Sequence, residues 1–399
     1  MDRRTFLYSL LVTFFINAFL TLFFLFPAAL QRQAMPLSLI GWVMGVASVG
    51  ALLSRPIGST VTETLGLIRS LLVLCLGLIV VSIPLIWVRT FWPLFFLRAA
   101  GGFLFGMAVV ALTTYQAFAI PVKQRGSTFA WIGIAYVAPQ LVVLPAAEWF
   151  VTRGRIDLYM GLAPLFALLT FLFALALPPP PAAADKDRSP AAPQETPWGS
   201  WADILVIPGF WALVLATFTF AMLNGTTLQY LPAFIKDQGL IASSFLVVNS
   251  ATALTVRLFA YRLMDRLNRP RAIGLILTGM GTALFLLHWA DSHAAFIAGG
   301  LLYGMFMGIG FPIILALAPD IFPPRLTPKG VSTSMLAMDA GFILAPIVAG
   351  YLGQRFGLGL VFTAVGAGAV LSGLAATLAN RRVTRETFGR GNPGNGAQE

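Results

Sequence analysis

Twelve apolar runs of bilayer length follow one another along the 399 residues. A helix crossing a bilayer needs about 20 mostly apolar residues. The runs fall at 5–29, 37–61, 68–88, 91–120, 127–151, 157–177, 207–232, 240–263, 271–290, 293–319, 329–353 and 358–380. Several contain Pro and Gly, as Pro139 and Pro145 in the fifth, which membrane helices tolerate when neighbours satisfy the freed backbone groups. The first run is too long for a signal-peptide core and no small-residue cleavage pattern follows it, so it reads as a permanent helix. Composition agrees: hydrophobic residues make up 58% and charged residues 10%, with mean hydropathy +0.84. A soluble domain carries about 25% charged residues. This chain lacks the polar surface of a soluble enzyme, a disordered chain or a nucleic-acid-binding domain. The net charge of +11 fits basic loops on one membrane face. One cysteine, Cys75, excludes an intramolecular disulfide and a cysteine-rich metal site.

Lys and Arg set the expected orientation. With the N-terminus cytoplasmic, 19 of the 26 basic residues fall on that side and 6 on the other, with Arg98 inside a helix. An even number of spans then puts both termini in the cytoplasm, in a cell inner (plasma) membrane of bacterial type. Residues 178–200, PPPPAAADKDRSPAAPQETPWGS, have no apolar period and read as an extended linker. The organisation is thus a six-helix bundle over 1–177, a cytoplasmic linker over 178–206, a second six-helix bundle over 207–380 and a cytoplasmic tail over 381–399 that reads as disordered.

The halves repeat at an offset near 202: Arg55 falls on Arg257, Glu63 on Asp265, Arg69 on Arg271, Gly102 on Gly304, Gly106 on Gly308 and Pro121 on Pro323. Pro145 falls on Pro346 at 201. Six helices per half make the repeat parallel, about an axis along the membrane normal. The fold class is an all-α membrane protein of twelve transmembrane helices in two pseudo-symmetric bundles.

Four segments carry a resemblance to a known family. The loop after the second helix, from Arg55-Pro-Ile-Gly through Glu63 to Gly66 and Arg69, and its copy from Arg257 through Asp265-Arg266 to Arg269-Pro-Arg271, resemble the signature loop of the major facilitator superfamily (MFS) of secondary transporters. Arg98-Ala-Ala-Gly101-Gly102 in the fourth helix and Gly341 to Gly350 around Pro346 in the eleventh are similar to motifs of its proton-linked efflux members. The chain departs from the pattern at Glu63, where Asp is usual, at Leu67-Ile68, where basic residues are usual, and at Leu144-Pro145, where a Gly-Pro motif is common. The resemblance implies a cytoplasmic gate of Arg55, Glu63, Arg69, Arg257, Asp265, Arg266 and Arg269, its carboxylates set against helix N-termini. Plain positive-inside anchoring is the other reading of those arginines.

Ionisable groups inside the membrane face a cavity or a partner. Arg98 lies about 12 Å along the fourth helix and Asp339 about 15 Å along the eleventh; Glu148 lies near the end of the fifth. Asp339, Arg98 and Glu148 are the proton-coupling candidates, because a carboxylate gains or loses its proton as a cation approaches or leaves. Arg98 is also a candidate anion site. Each has a bland alternative: pairing of Glu148 with Arg153 or Arg155 at the surface, a structural cross-link at Arg98, an interhelix bond at Asp339. Asn17, Arg98, Tyr136, Gln140, Asn224 and Asn249 form the substrate-cavity set, and the blander third, sixth and twelfth helices read as lipid-facing supports. No metal, cofactor or ATP-binding pattern and no nucleophile–base pair stands out, so the chain reads as no enzyme. The expected function is alternating-access movement of a small organic solute by a monomer in the lipid bilayer, with protons as partners and efflux by antiport. The alternatives are an importer of a sugar, organic anion or metabolite, and a non-transporting assembly or scaffold protein.

Overall fold

A computed structural model describes residues 3–120, 125–179, 201–207, 209–259, 267–323 and 326–389. Among the described residues eleven helices are long and apolar enough to cross a membrane, and the shorter apolar helix Ser244–Phe259 makes a twelfth. The first half comprises α1 (Arg3–Arg32, with one break), α2 (Leu37–Leu65), α3 (Leu67–Ser82), α4 (Phe91–Ala119), α5 (Arg125–Thr152) and α6 (Ile156–Leu175). The second comprises α7 (Phe210–Asp237), α8 (Ser244–Phe259), α9 (Arg269–Leu286), α10 (His293–Ile321), α11 (Thr327–Phe356) and α12 (Leu358–Gly389). With twelve helices alternating in direction, the start of α1 and the end of α12 share one face of the bundle, and the α1–α2 turn lies on the opposite, far face.

Two boundaries differ from the sequence reading. The eighth run begins at 240, yet Gly239 turns the chain with φ of 76° and α8 starts only at Ser244. The expected tail is helical as far as Gly389, since nothing between Asn380 and Phe388 is a Gly or Pro that would stop α12. Within the expected linker segment, Trp201–Leu205 forms a short helix.

The two halves pack alike. In the first, α2 packs on α4, α4 on α3, α3 on α6, and α1 on both α5 and α6; in the second, α8 packs on α10, α10 on α9, α9 on α12, and α7 on both α11 and α12. Each of these pairings is thus repeated six helices later. Between apolar helices in lipid there is little hydrophobic drive to associate, and close backbone approach through small residues takes its place. A Cβ on Gly102 would strike the Ala47 carbonyl and one on Gly304 the Asn249 carbonyl; a Cβ on Gly106 would lie 2.9 Å from Ala51 Cα, and one on Gly308 3.0 Å from Ala253 Cα. Both partners are shifted by the same 202 residues as the glycines. The internal repeat is therefore a repeated helix crossing.

Large side chains on α3, α6 and α12 point outward at helical spacing: Val73, Leu76 and Val80; Leu165, Leu168, Leu172 and Leu175; Leu371, Leu374 and Leu378. Exposed Trp42, Trp87, Trp92, Trp149 and Trp289 sit toward the far-face ends of their helices or in far-face turns, the level at which an aromatic belt meets the headgroups.

Candidate functional site

The site begins with a proline. Pro27 has no N–H, and α1 tightens ahead of it into a 3-10 turn over Phe23–Leu25. In that turn the Phe26 N–H donates to the Phe23 carbonyl, which leaves the Leu22 carbonyl without its usual i+4 donor. Tyr159 of α6 supplies one: its hydroxyl donates to Leu22 O at 2.6 Å. The break puts Phe23 and Phe26 three residues apart on one side, ring centroids 5.5 Å apart.

Arg98 of α4 lies over these rings. Its guanidinium carbon is 3.8 Å from the Phe23 centroid and 5.8 Å from that of Phe26. Arg98 is only 6% exposed, and its buried Nε has no hydrogen-bond partner among the described residues. A cation over a phenyl face gains about 2 kcal/mol when desolvated. Holding a charge in the interior without hydrogen-bonded compensation costs several kcal/mol. Two aromatic faces leave that cost largely unmet.

Arg98 lines a cavity of about 110 Å³ between α1, α2 and α4 of the first half and α7 of the second. Phe19, Phe23, Phe24 and Phe105 supply apolar walls, Ser48 and Gln229 the other polar side chains, and no carboxylate is among the lining residues. Gln229 is the contribution of α7; its buried Oε1 has no partner among the described residues.

On the far face the halves meet in two ways. Where α2 crosses α11, small residues bring backbones together: a Cβ on Gly41 would lie 3.2 Å from Ile347 Cα, and one on Gly350 3.0 Å from Gly41 Cα. Across the halves the Ser38 N–H donates to Gln354 Oε1 at 3.0 Å, and within the second half Tyr230 of α7 braces α11 by donating to the Pro346 carbonyl at 3.1 Å. Where α5 crosses α8, the contact is polar. Glu148, 6% exposed, accepts the Ala242 N–H on Oε1 and the Ser243 N–H on Oε2, the latter at 2.8 Å. These amides precede the first turn of α8, whose N-terminal end favours a carboxylate. Further along the crossing, Ser250 donates to Gln140 Oε1 at 2.5 Å. Beside it Gln31 of α1 donates to Asp237 of α7 at 3.1 Å.

The remaining sequence candidates divide clearly. Arg98 lines the cavity; Asn17, Tyr136, Gln140, Asn224 and Asn249 are not among its lining residues. Asn17 and Asn224 each donate to a carbonyl four residues back in their own helix, Thr13 O and Phe220 O, both at 2.8 Å. Asn249 is fully buried at the crossing with α10, and its amide has no partner among the described residues. Tyr136 is half-buried in α5, and Asp339 half-buried in α11. Glu148 bonds across the halves and not to Arg153, whose guanidinium lies 4.0 Å from the Trp149 ring centroid. Of the gate residues, Arg257 donates from Nε to the Gly308 carbonyl at 3.3 Å, tying α8 to α10; Arg69 is exposed and Arg269 half-buried. Asp265 and Arg266, and the side chains of Arg55 and Glu63, lie outside the described residues. Gln229, Tyr159, Tyr230 and the phenylalanine pair were not in the sequence-derived site set. The sequence carries one signal for the aromatic seat, a Pro directly behind a Phe-x-x-Phe spacing in α1.

Two parallel six-helix bundles enclosing a small mixed cavity and closed against each other at one end define a multi-pass membrane carrier of the two-bundle type. The sequence profile described as Major Facilitator Superfamily matches residues 6–273 and 238–396, and the chain belongs to that family of small-solute transporters. It is 24% identical over 368 residues to the 3-(3-hydroxy-phenyl)propionate transporter of Escherichia coli strain K12, covering 89% of this chain and 88% of that one. It is 25% identical over 178 residues to the purine ribonucleoside efflux pump NepI of Escherichia coli, 43% of this chain but only 44% of the pump's length. Among solved structures it resembles a bacterial homologue of the human lysosomal transporter Spinster, with TM-score 0.75, 13% identity and coverage of 99% and 100% of the two chains.

Proposed function

We propose that the chain exports a small organic solute by alternating access in exchange for protons, from a bacterial inner membrane with both termini in the cytoplasm. The observation that carries this reading is the cavity at Arg98, lined from both halves by Arg98 and Gln229, with contacts between the halves on the far face. A rocking of one bundle on the other changes the walls of such a cavity and its access together. The crossings α2–α11 and α5–α8 are the surfaces that part when the far face opens. Asp339, within the membrane on α11, is the proton-carrying group in this reading, and Arg98 the membrane cation whose charge the solute answers. The efflux motifs around Arg98 and Pro346 and the likeness to a nucleoside efflux pump favour export over import.

The test is solute-evoked proton movement in proteoliposomes, read with a trapped pH dye. The panel is 3-(3-hydroxyphenyl)propionate, inosine, D-xylose and a quinolone, the solute types in the names of relatives. One panel member should drive protons opposite to its own movement, and Asp339→Asn should abolish that signal while leaving solute counterflow. Protons moving with the solute, or solute flux with no proton signal, would overturn proton-coupled export.

A further inference from the structure

We infer that the Arg98 cavity is built for a small monocarboxylate with an apolar body, a ring or short chain, and not for a sugar or a cation. The inference deepens the carrier reading above by naming the class of its solute. Three observations converge. The guanidinium is buried, stacked on Phe23 on one side and without a hydrogen-bonded acceptor among the described residues on the other. A carboxylate is the natural partner for such a fork, through two parallel charge-assisted bonds. The lining carries one cation and no anion, so a single negative charge neutralises it, whereas an organic cation would add to the uncompensated charge. Beyond Arg98 the lining offers only Ser48 and Gln229 as polar side chains, too few for the many hydroxyls of a sugar but suited to a solute that is apolar beyond its acid group.

Size and position agree with this. At about 10–15 Å³ per water, a cavity of about 110 Å³ has room for roughly seven to eleven waters, the scale of one ring and an acid side arm. Phenylalanine faces from α1 and α4 would hold the ring by offset or edge contacts. Because Arg98 belongs to the first half and Gln229 to the second, a carboxylate held by the guanidinium and the amide links the bundles, so its occupancy changes the energy of their separation.

Thermal melting of the purified full chain in detergent tests the inference with 3-phenylpropionate, its neutral amide 3-phenylpropionamide and the cation 3-phenylpropylamine, and with inorganic phosphate to separate carboxylate recognition from general anion binding. The acid should raise the melting temperature and the other three should not. Arg98→Gln should need at least tenfold more acid for the same shift, Arg98→Lys should lie between, and Gln229→Leu should weaken the response several-fold. The melting temperature of each variant without ligand shows whether it folds, and Gln229→Leu keeps the test open should Arg98→Gln fail to do so. Equal shifts by acid and amide, a response to phosphate, no shift with the acid, or an undiminished response in Arg98→Gln would each overturn the inference. An acid that binds through Arg98 without evoking proton movement in vesicles would leave the site standing and defeat the coupled carrier reading, so the two failures are distinct.

Discussion

Single residues in this protein trade stability for function at one place above all. Arg98 is a buried charge with aromatic faces but no acceptor among the described residues. Replacing such a group by an apolar side chain of similar length is often neutral or stabilising by about 1–4 kcal/mol. Arg98→Met should therefore melt above the parent protein in the absence of solute, while transport is lost; a large destabilisation would mean that Arg98 is a structural cross-link. Tyr159 behaves oppositely. Tyr159→Phe removes the hydroxyl that bonds the Leu22 carbonyl at the α1 break and should cost about 0.5–1.5 kcal/mol, seen as a lower melting temperature, and loosen the seat of Phe23 and Phe26. Arg98 was legible in the sequence because a lone charge in an apolar run has few reasons to be there. The partner of Glu148 was not: backbone amides carry no residue signature, and only the meeting of α5 and α8 brings Ala242 and Ser243 to it. Asn17 and Asn224 show the converse limit, since an amide in a helix has a ready acceptor one turn back and its residue type does not reveal which it uses.

Elements in this fold are positioned by glycine. The matched pairs Gly102 with Ala47 and Gly304 with Asn249 show why residue spacing alone exposed the repeat: the backbone contact admits no Cβ, so the glycine is dictated by geometry in both halves. Gly102→Ala should push α2 from α4 and destabilise by about 1–3 kcal/mol, as overpacking does. Gly161→Ala in α6, where nothing lies within 4 Å of the added carbon, should instead gain about 0.5–1 kcal/mol from helix propensity. Thermal melting of the two variants side by side checks this, and equal effects would mean that the crossing yields easily. Helix ends were less legible than crossings, because they depend on local turns. The start of α8 is set by Gly239 and the capping carboxylate of a helix from the other half, neither of which hydropathy registers. The extension of α12 to Gly389 follows propensity where charge composition pointed to a tail.

The whole molecule joins its halves unequally, and that asymmetry bears on how it opens. By the repeat, α2–α11 and α5–α8 are equivalent crossings, yet glycine contacts dominate the first and Glu148 the second, where the corresponding position at offset 201 is Ala349. Glycine contacts rest on close packing, which parts progressively. A carboxylate on two amides is a discrete bond to a charged group, worth about 1.5–3 kcal/mol per hydrogen bond. Breaking it exposes a helix terminus and a charge together, so both become favourable to hydrate once water enters. The expected behaviour of Glu148 is that of a two-position latch, made when the far face is closed and hydrated when it is open. Glu148→Gln keeps one acceptor oxygen and loses the charge; Glu148→Ala loses both oxygens. The population open on the far face should rise from parent to Gln to Ala, by at least tenfold in the last, since each 1.4 kcal/mol is a factor of ten. The background is favourable for measuring this, because the native Cys75 is buried. In the purified protein, a cysteine at Ser243, buried beneath the latch, should react with a polar maleimide at rates that follow the same order. Equal rates in all three proteins would show that Glu148 does not hold the far face shut.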